Sequence, residues 1–358
     1  MHAIPSLGDQ PRILISRLSH IGDCVLTIPV ANALRDRFPK AFIAWAIEPP
    51  GDRLIKRCES VDEVITVPKG WLKKPRQAWN LRRQLRTYAF DIAIDPQSLT
   101  KSSGVSYISG AKIRIGLEPP LGRELSGWLN TRLVGVSSDH VVDRSIEMLK
   151  ALGVSNSEPR FDLDIPETAI AFANKTADEF HLQSGFVVLN PGAGWVSRQW
   201  ENRRFGEVAA HIGKKHGLTV VVTWFGDNER LMAREIIQTS SGHAVMAPPS
   251  SIWDLAALIE KSHFYVGCDT GPTHLAAALG ASCITLFGTT QPEVSGPYQK
   301  HFQSGSHIHL QKFYQSGSSR ERRKAENVAM LAIDVDDVKM AVDRMVTNLG
   351  NRCGKKIA

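Results

Sequence analysis

Short apolar runs alternate with longer amphipathic segments along most of the chain. Residues 12–16, 41–47, 63–67, 90–95 and 113–116 read as strands, being short apolar runs between polar or turn residues. A helix over 24–37 follows the first strand and is stopped by Pro39, and a basic helix separates the third strand from the fourth. After a helix over 142–152 the pattern breaks at 159–168, between Pro159 and Thr168, which reads as the approach to an interdomain linker. It then restarts, with strands at 186–190, 219–224, 263–268 and 282–287 and helices at 203–215, 228–238, 252–260 and 273–279. Such alternation predicts an α/β protein of two doubly wound domains in tandem, each a parallel sheet with helices on both faces. The expected domains are 1–165 and 166–335, with a terminal helix and tail over 336–358. Ligands of such sheets sit outside the carboxyl ends of the strands, so a cleft between the domains is the natural site. The polar, Gly/Ser-rich stretch 304–324 reads as a mobile loop.

A length of 358 residues suits two domains, and 42% hydrophobic with 22% charged residues is ordinary globular composition. No run approaches the roughly 18 apolar residues of a membrane span, and the N-terminus has no apolar signal core. The five cysteines are odd in number, irregularly spaced and without a C-x-x-C pair. That speaks against a disulfide framework or a zinc site and fits a reducing cytoplasm. The expectation is a cytoplasmic protein, soluble or peripheral on a membrane.

The net charge of +7 changes this picture, because it is unevenly spread. Between Glu63 and Asp91 there is no acid, but there are Lys69, Lys73, Lys74, Arg76, Arg82, Arg83 and Arg86, with Trp71 and Trp79 among them. Cations mixed with tryptophan suit an anionic lipid interface; a solvated helix face with two packed tryptophans is the alternative. No nucleic-acid motif is present.

Four loops carry candidate chemistry. Val266-Gly-Cys-Asp-Thr-Gly-Pro-Thr-His-Leu275 runs from a buried strand through a tight turn into a helix. Pro272 suits a first helical turn, and the free N–H groups of Thr270 and Gly271 suit a phosphate. An ordinary turn capped by Asp269 or Thr270 would look the same. Leu14-Ile-Ser-Arg-Leu-Ser-His-Ile-Gly-Asp-Cys24 ends a strand and opens a helix; it is not a G-x-G-x-x-G fingerprint, which disfavours a nicotinamide cofactor. Asp23 alone reads first as a helix cap. Asn190-Pro-Gly-Ala-Gly194 with Arg198-Gln-Trp200 fits a phosphate cradle or a plain surface loop. Asp95-Pro-Gln-Ser-Leu-Thr-Lys101 is weak by itself. The D-x-D patterns at Asp162–Asp164 and Asp334–Asp336, and the histidines, give no trusted metal set, so neither a metal nor a cofactor is expected.

Together these motifs, in this order and spacing, resemble the lipopolysaccharide heptosyltransferase family (glycosyltransferase family 9), inverting enzymes of GT-B architecture with two Rossmann-like domains facing a central cleft. Arg17 stands where that family commonly has lysine, Ser98 where glycine is usual, and Arg198 where the type I enzymes tend to have lysine. The Gln97/Lys101 segment and the basic stretch before it point to type I, which adds the first heptose to Kdo-lipid A. The resemblance implies transfer from ADP-heptose to an anionic glycolipid at the inner membrane surface, by direct displacement without a metal. It implies Asp23 as the base, and Arg198, Asp269, Thr270, Gly271 and His274 around the donor. Glu229 would bond the nucleoside or sugar, and Gln97 and Lys101 would face the acceptor. A type II enzyme, a hexose transferase, a sugar-nucleotide epimerase and a non-catalytic binding protein are the rival readings.

Overall fold

The computed structural model describes residues 8–154, 157–298 and 307–353. It divides into two compact units, 1–164 and 165–358. The first holds β1 (Arg12–Ser16), β2 (Phe42–Ile47), β3 (Glu63–Thr66), β4 (Ile92–Ile94), β5 (Ile113–Leu117) and β6 (Arg132–Val134). The second holds β7 (Phe186–Asn190), β8 (Thr219–Val222), β9 (Ala244–Met246), β10 (Tyr265–Cys268), β11 (Cys283–Leu286) and β12 (His307–Leu310).

Both sheets are parallel and share one strand order. The first runs β3-β2-β1-β4-β5-β6, and the second, read the same way, β9-β8-β7-β10-β11-β12. This is the doubly wound order, which reverses direction beside the first strand of each unit. Those central strands are buried on both faces, and their sequences, RILIS and FVVLN, are correspondingly rich in apolar residues. Register is fixed by pairs such as Ile13 with Ile92 and Gly267 with Asn190.

The structure corrects several expectations. The helix over 24–37 is two pieces, Ile21–Val25 and Ile28–Arg37, because Pro29 lacks the N–H that would continue the first into the second. Strands β6, β9 and β12 were not legible as runs. They are three or four residues long and lie toward the sheet edges. The stretch 304–324 is not one loop: it contributes edge strand β12 and a helix, Ser319–Lys324, while 304–306 lie outside the described residues. So do 1–7 and 354–358, which the expected first domain and tail include. A helix, Glu167–Glu179, starts within the linker segment. The terminal helix Val335–Cys353 packs into the second unit, where Val338, Ala341, Val342 and Met345 join Trp200, Phe205 and Val266 in one core.

Candidate active site

The order reversal falls between β1 and β4 in the first unit, and the loops after both strands carry sequence motifs. Arg17 to Asp23 follows β1, and Asp95 to Lys101 follows β4. The two loops are bonded together. Gln97 Oε1 accepts from the Leu18 N–H at 2.9 Å, its Nε2 donates to Ser19 Oγ at 3.1 Å, and Arg17 Nη1 donates to the Pro96 carbonyl at 3.3 Å. Gln97 thus fastens the Asp23 loop across the reversal. His20 is the N-cap residue of helix Ile21–Val25, with φ +61° and no side-chain cap bond. Asp23 lies in the first turn of this helix rather than at its cap. Its carboxylate is 40% exposed, 2.9 Å from Arg17 Nη2 and 3.7 Å from His20 Nδ1.

Behind these loops is a buried polar knot. Asp95 accepts from the Ser98 N–H at 2.8 Å and from Ser103 Oγ, which in turn accepts from Asn130 Nδ2 at 3.1 Å. Burial pushes the Asp95 carboxyl up, against these hydrogen bonds. Ser98 has φ +46°, in the left-handed region that favours glycine. Its Oγ donates to the Asp95 carbonyl and accepts from the Leu117 N–H, both at 2.8 Å, and these bonds oppose the steric cost. Lys101, expected to face the acceptor, is paired with Glu48 at 3.6 Å and remains one-third exposed.

In the second unit the reversal lies between β7 and β10, and again both following loops carry motifs. Arg198 Nη1 lies 3.2 Å from Asp269 Oδ2 and donates to the Asp269 carbonyl at 3.1 Å. Its guanidinium also sits 4.1 Å from the centre of the Trp195 ring. Asp269 is buried, approached by His274 Nε2 at 3.4 Å and bonded by Thr290 Oγ1 at 2.5 Å. Burial opposes its ionisation, but His274, Arg198 and Thr290 outweigh that and hold its carboxyl below the usual range. Thr270 is the N-cap of helix Gly271–Ala278 and makes no side-chain cap bond, and Pro272 fills an early helical position. Glu229, on helix Gly226–Thr239 after β8, accepts from the Phe225 N–H at 2.8 Å. Its carboxyl is pushed up by burial. A Cβ on Gly192 would overlap that carboxylate, so glycine lets the loop after β7 lie against Glu229. The structure thus brings Arg198, Asp269 and His274 together, and sets Glu229 beside the same loop.

Residues 78–324 match glycosyltransferase family 9 (heptosyltransferase). The chain belongs to that family. It is 26% identical over 300 residues to lipopolysaccharide heptosyltransferase 1 of Salmonella typhimurium, covering 81% of this chain and 92% of the relative. It is 23% identical over 336 residues to lipopolysaccharide heptosyltransferase 3 of Escherichia coli, covering 91% and 96%. Among solved structures, the E. coli heptosyltransferase WaaC with ADP superposes with a TM-score of 0.72 at 22% identity, covering 93% of this chain and 99% of that one. The fold is therefore the GT-B fold of these glycosyltransferases.

In this family 9 glycosyltransferase the basic segment is real, but its tryptophans part company. Trp71 is buried in the first unit's core, whereas Trp79 is 59% exposed on helix Pro75–Thr87 with Arg83 stacked 5.2 Å from its ring centre. That helix packs on helix Thr100–Ser109, which packs on the short helix Ser126–Leu129. Leu72, Tyr107, Leu125 and Trp128 (88% exposed) extend the apolar component across these elements. Tyr107 and Trp128 lie outside the acid-free stretch, so no local charge pattern signals them. No helix among the described residues is long and apolar enough to cross a membrane. Three of the four D-x-D carboxylates are paired with cations: Asp162 with Arg160 at 2.6 Å, Asp164 with Arg57 at 3.2 Å, and Asp336 with Lys339 at 3.3 Å.

Helix Ser319–Lys324, in a stretch expected to be a loop, also reaches the loop after β7. Ser197 Oγ donates to the Arg322 carbonyl at 2.6 Å, seating this basic helix on the turn that carries Arg198. The contact crosses more than a hundred residues of chain, which no local pattern signals.

Proposed function

We propose that this enzyme transfers heptose from ADP-heptose to a Kdo-lipid A-type acceptor, inverting the anomeric configuration by direct displacement. The single observation that carries the chemistry is the constellation of Arg198, Asp269 and His274 around the amino end of helix Gly271–Ala278. A fixed guanidinium beside a helix N-terminus stabilises the charge that develops on a departing diphosphate, with no metal required. The ADP bound in the WaaC structure supports the choice of nucleotide.

Asp23 is the proposed base. It is accessible, and Arg17 and His20 hold its orientation. The acceptor hydroxyl becomes acidic as its bond to the sugar forms, so a weak base in hydrogen-bond reach suffices. Gln97 keeps the Asp23 loop in place, and Lys101 supplies a cation to a carboxylate or phosphate of the acceptor by exchanging its contact with Glu48. Glu229 accepts a hydrogen bond from the nucleoside or sugar. The exposed cations and Trp79 hold the enzyme on the anionic cytoplasmic face of the inner membrane.

The match to heptosyltransferase 3 favours one second reading, transfer to a different acceptor position. Incubating the enzyme with ADP-heptose and either Kdo-lipid A or a heptose-bearing core, read by mass, separates the two. Turnover of neither acceptor overturns the reading.

A further inference from the structure

The charge around Arg198 is larger than the motif loops supply. Helix Ser319–Lys324 is begun by Ser318, whose Oγ accepts from the Glu321 N–H while the Glu321 carboxylate accepts from the Ser318 N–H. It brings Arg320, Arg322, Arg323 and Lys324. Arg322 Nη1 donates to the Thr289 carbonyl at 2.7 Å, in the loop after β11 whose next residue, Thr290, bonds Asp269. The Arg323 guanidinium lies 5.0 Å from the centre of the same Trp195 ring that Arg198 covers. Three guanidinium groups therefore gather where the loops after β7, β10 and β11 meet. The acids in those contacts do not balance them. Asp269 is shared between Arg198 and His274, and Glu321 is turned back to its own helix start. The Nε atoms of Arg198 and Arg322 are both buried with no hydrogen-bond partner among the described residues. A buried guanidinium N–H without an acceptor is costly, as is crowding like charges. Both costs are relieved by an anion carrying several acceptor oxygens.

We propose that Arg322 is a second diphosphate-binding residue of the donor site, acting with Arg198 on the phosphate that leaves from the sugar. Trp195 holds two of the cations by its ring face, so their positions are set before the ligand arrives. The proposal rests on the nucleoside-diphosphate donor reading above and adds to it a residue from a distant segment. It assigns the stretch 319–324 a ligand instead of a solvated surface.

The test is calorimetric titration of ADP, AMP, UDP and UMP into wild type, Arg322→Gln, Arg322→Lys and, as an exposed control on the same helix, Arg320→Gln. Thermal melting checks the fold of each. The expected result is that Arg322→Gln weakens ADP on the order of tenfold or more, changes AMP by less than about threefold, and flattens the salt dependence of ADP binding. Arg322→Lys should fall between, because it keeps the charge and loses the fork. If Arg322→Gln does not fold, the lysine variant and its salt series decide. ADP bound equally by wild type and variant overturns the proposal, and so does an equal loss of ADP and AMP. Wild type that prefers UDP overturns the ADP reading alone, and the UDP–UMP pair then tests Arg322. Wild type that binds no nucleotide overturns both.

Discussion

Arg198 meets Asp269 at two points, its side-chain oxygen at 3.2 Å and its backbone carbonyl at 3.1 Å. One guanidinium nitrogen so fixes the loop after β7 to the loop after β10, across the place where the strand order reverses. In the first unit Gln97 does the equivalent, joining the loops after β1 and β4. Each unit thus has a polar clasp at its reversal, and each clasp lies beside the residues to which chemistry is assigned.

The first expected outcome concerns Asp23. Asp23→Asn keeps the side-chain volume but removes the proposed base. Turnover should fall by about 10²- to 10⁴-fold, with donor affinity within about twofold. Single-turnover rates and ADP titration measure the two separately. Near-normal turnover would leave Asp23 as a partner of Arg17 only.

The second is metal independence. With Arg198 and a helix N-terminus proposed to meet the diphosphate, transfer should continue at full rate after dialysis against EDTA. Loss of activity in the chelator, restored by magnesium, would remove the proposed role of Arg198 as the principal counter-charge.

The third concerns the proposed contact with an anionic membrane. Lys73, Lys74 and Arg76 are all exposed, and each cation near an anionic surface is worth about 1 kcal/mol. Their triple replacement by glutamine should weaken binding to anionic vesicles by about a hundredfold at low salt, with a smaller gap at physiological salt. Trp79→Ala should weaken it as well, and Trp71, being buried, should instead affect stability. Co-sedimentation across a salt series reads this. Equal binding by wild type and triple variant at every salt concentration would reduce the segment to a solvated face.

The fourth is a stability effect away from the site. Asp343 on the terminal helix receives His211 Nε2 at 2.8 Å, His216 Nε2 at 2.7 Å and Lys215 Nζ at 2.8 Å, all from helix Asn202–His216. Burial opposes its ionisation, but these partners hold its carboxyl well below the usual range. A depressed folded value means the stabilisation is present above the unfolded carboxylate value of about 4 and is lost as pH falls below it. Asp343→Asn should therefore cost about 1–2 kcal/mol at pH 7 and progressively less in acid. Thermal melts of both proteins at neutral and acid pH check this; a gap that stays constant counts against it.

Much of this protein was written locally. The apolar runs at 12–16 and 186–190 named the two central strands, because a strand buried on both faces must be apolar throughout. The Gly-Asp loop, the Asn190-Pro-Gly loop and Asp269-Thr-Gly-Pro pointed to the family and its candidate residues only through their resemblance to its motifs, because tight turns into helices use the same residue types without chemistry. Tertiary structure decided the rest. Whether Trp71 or Trp79 faces solvent depends on which side of the chain meets helix Thr100–Ser109, and both sit in the same basic context in sequence. Ser98 shows its left-handed backbone only beside the buried Asp95 and the Leu117 amide that support it. Edge strands β6, β9 and β12 exist because a neighbouring strand offers them hydrogen bonds, which a run of three or four residues does not announce. Arg322 reaches the loops around Asp269 through a docking more than a hundred residues distant in sequence. Hydrophobic period and turn chemistry are properties of neighbours along the chain, whereas such contacts are fixed only when separate segments compete to bury surface and satisfy their polar groups.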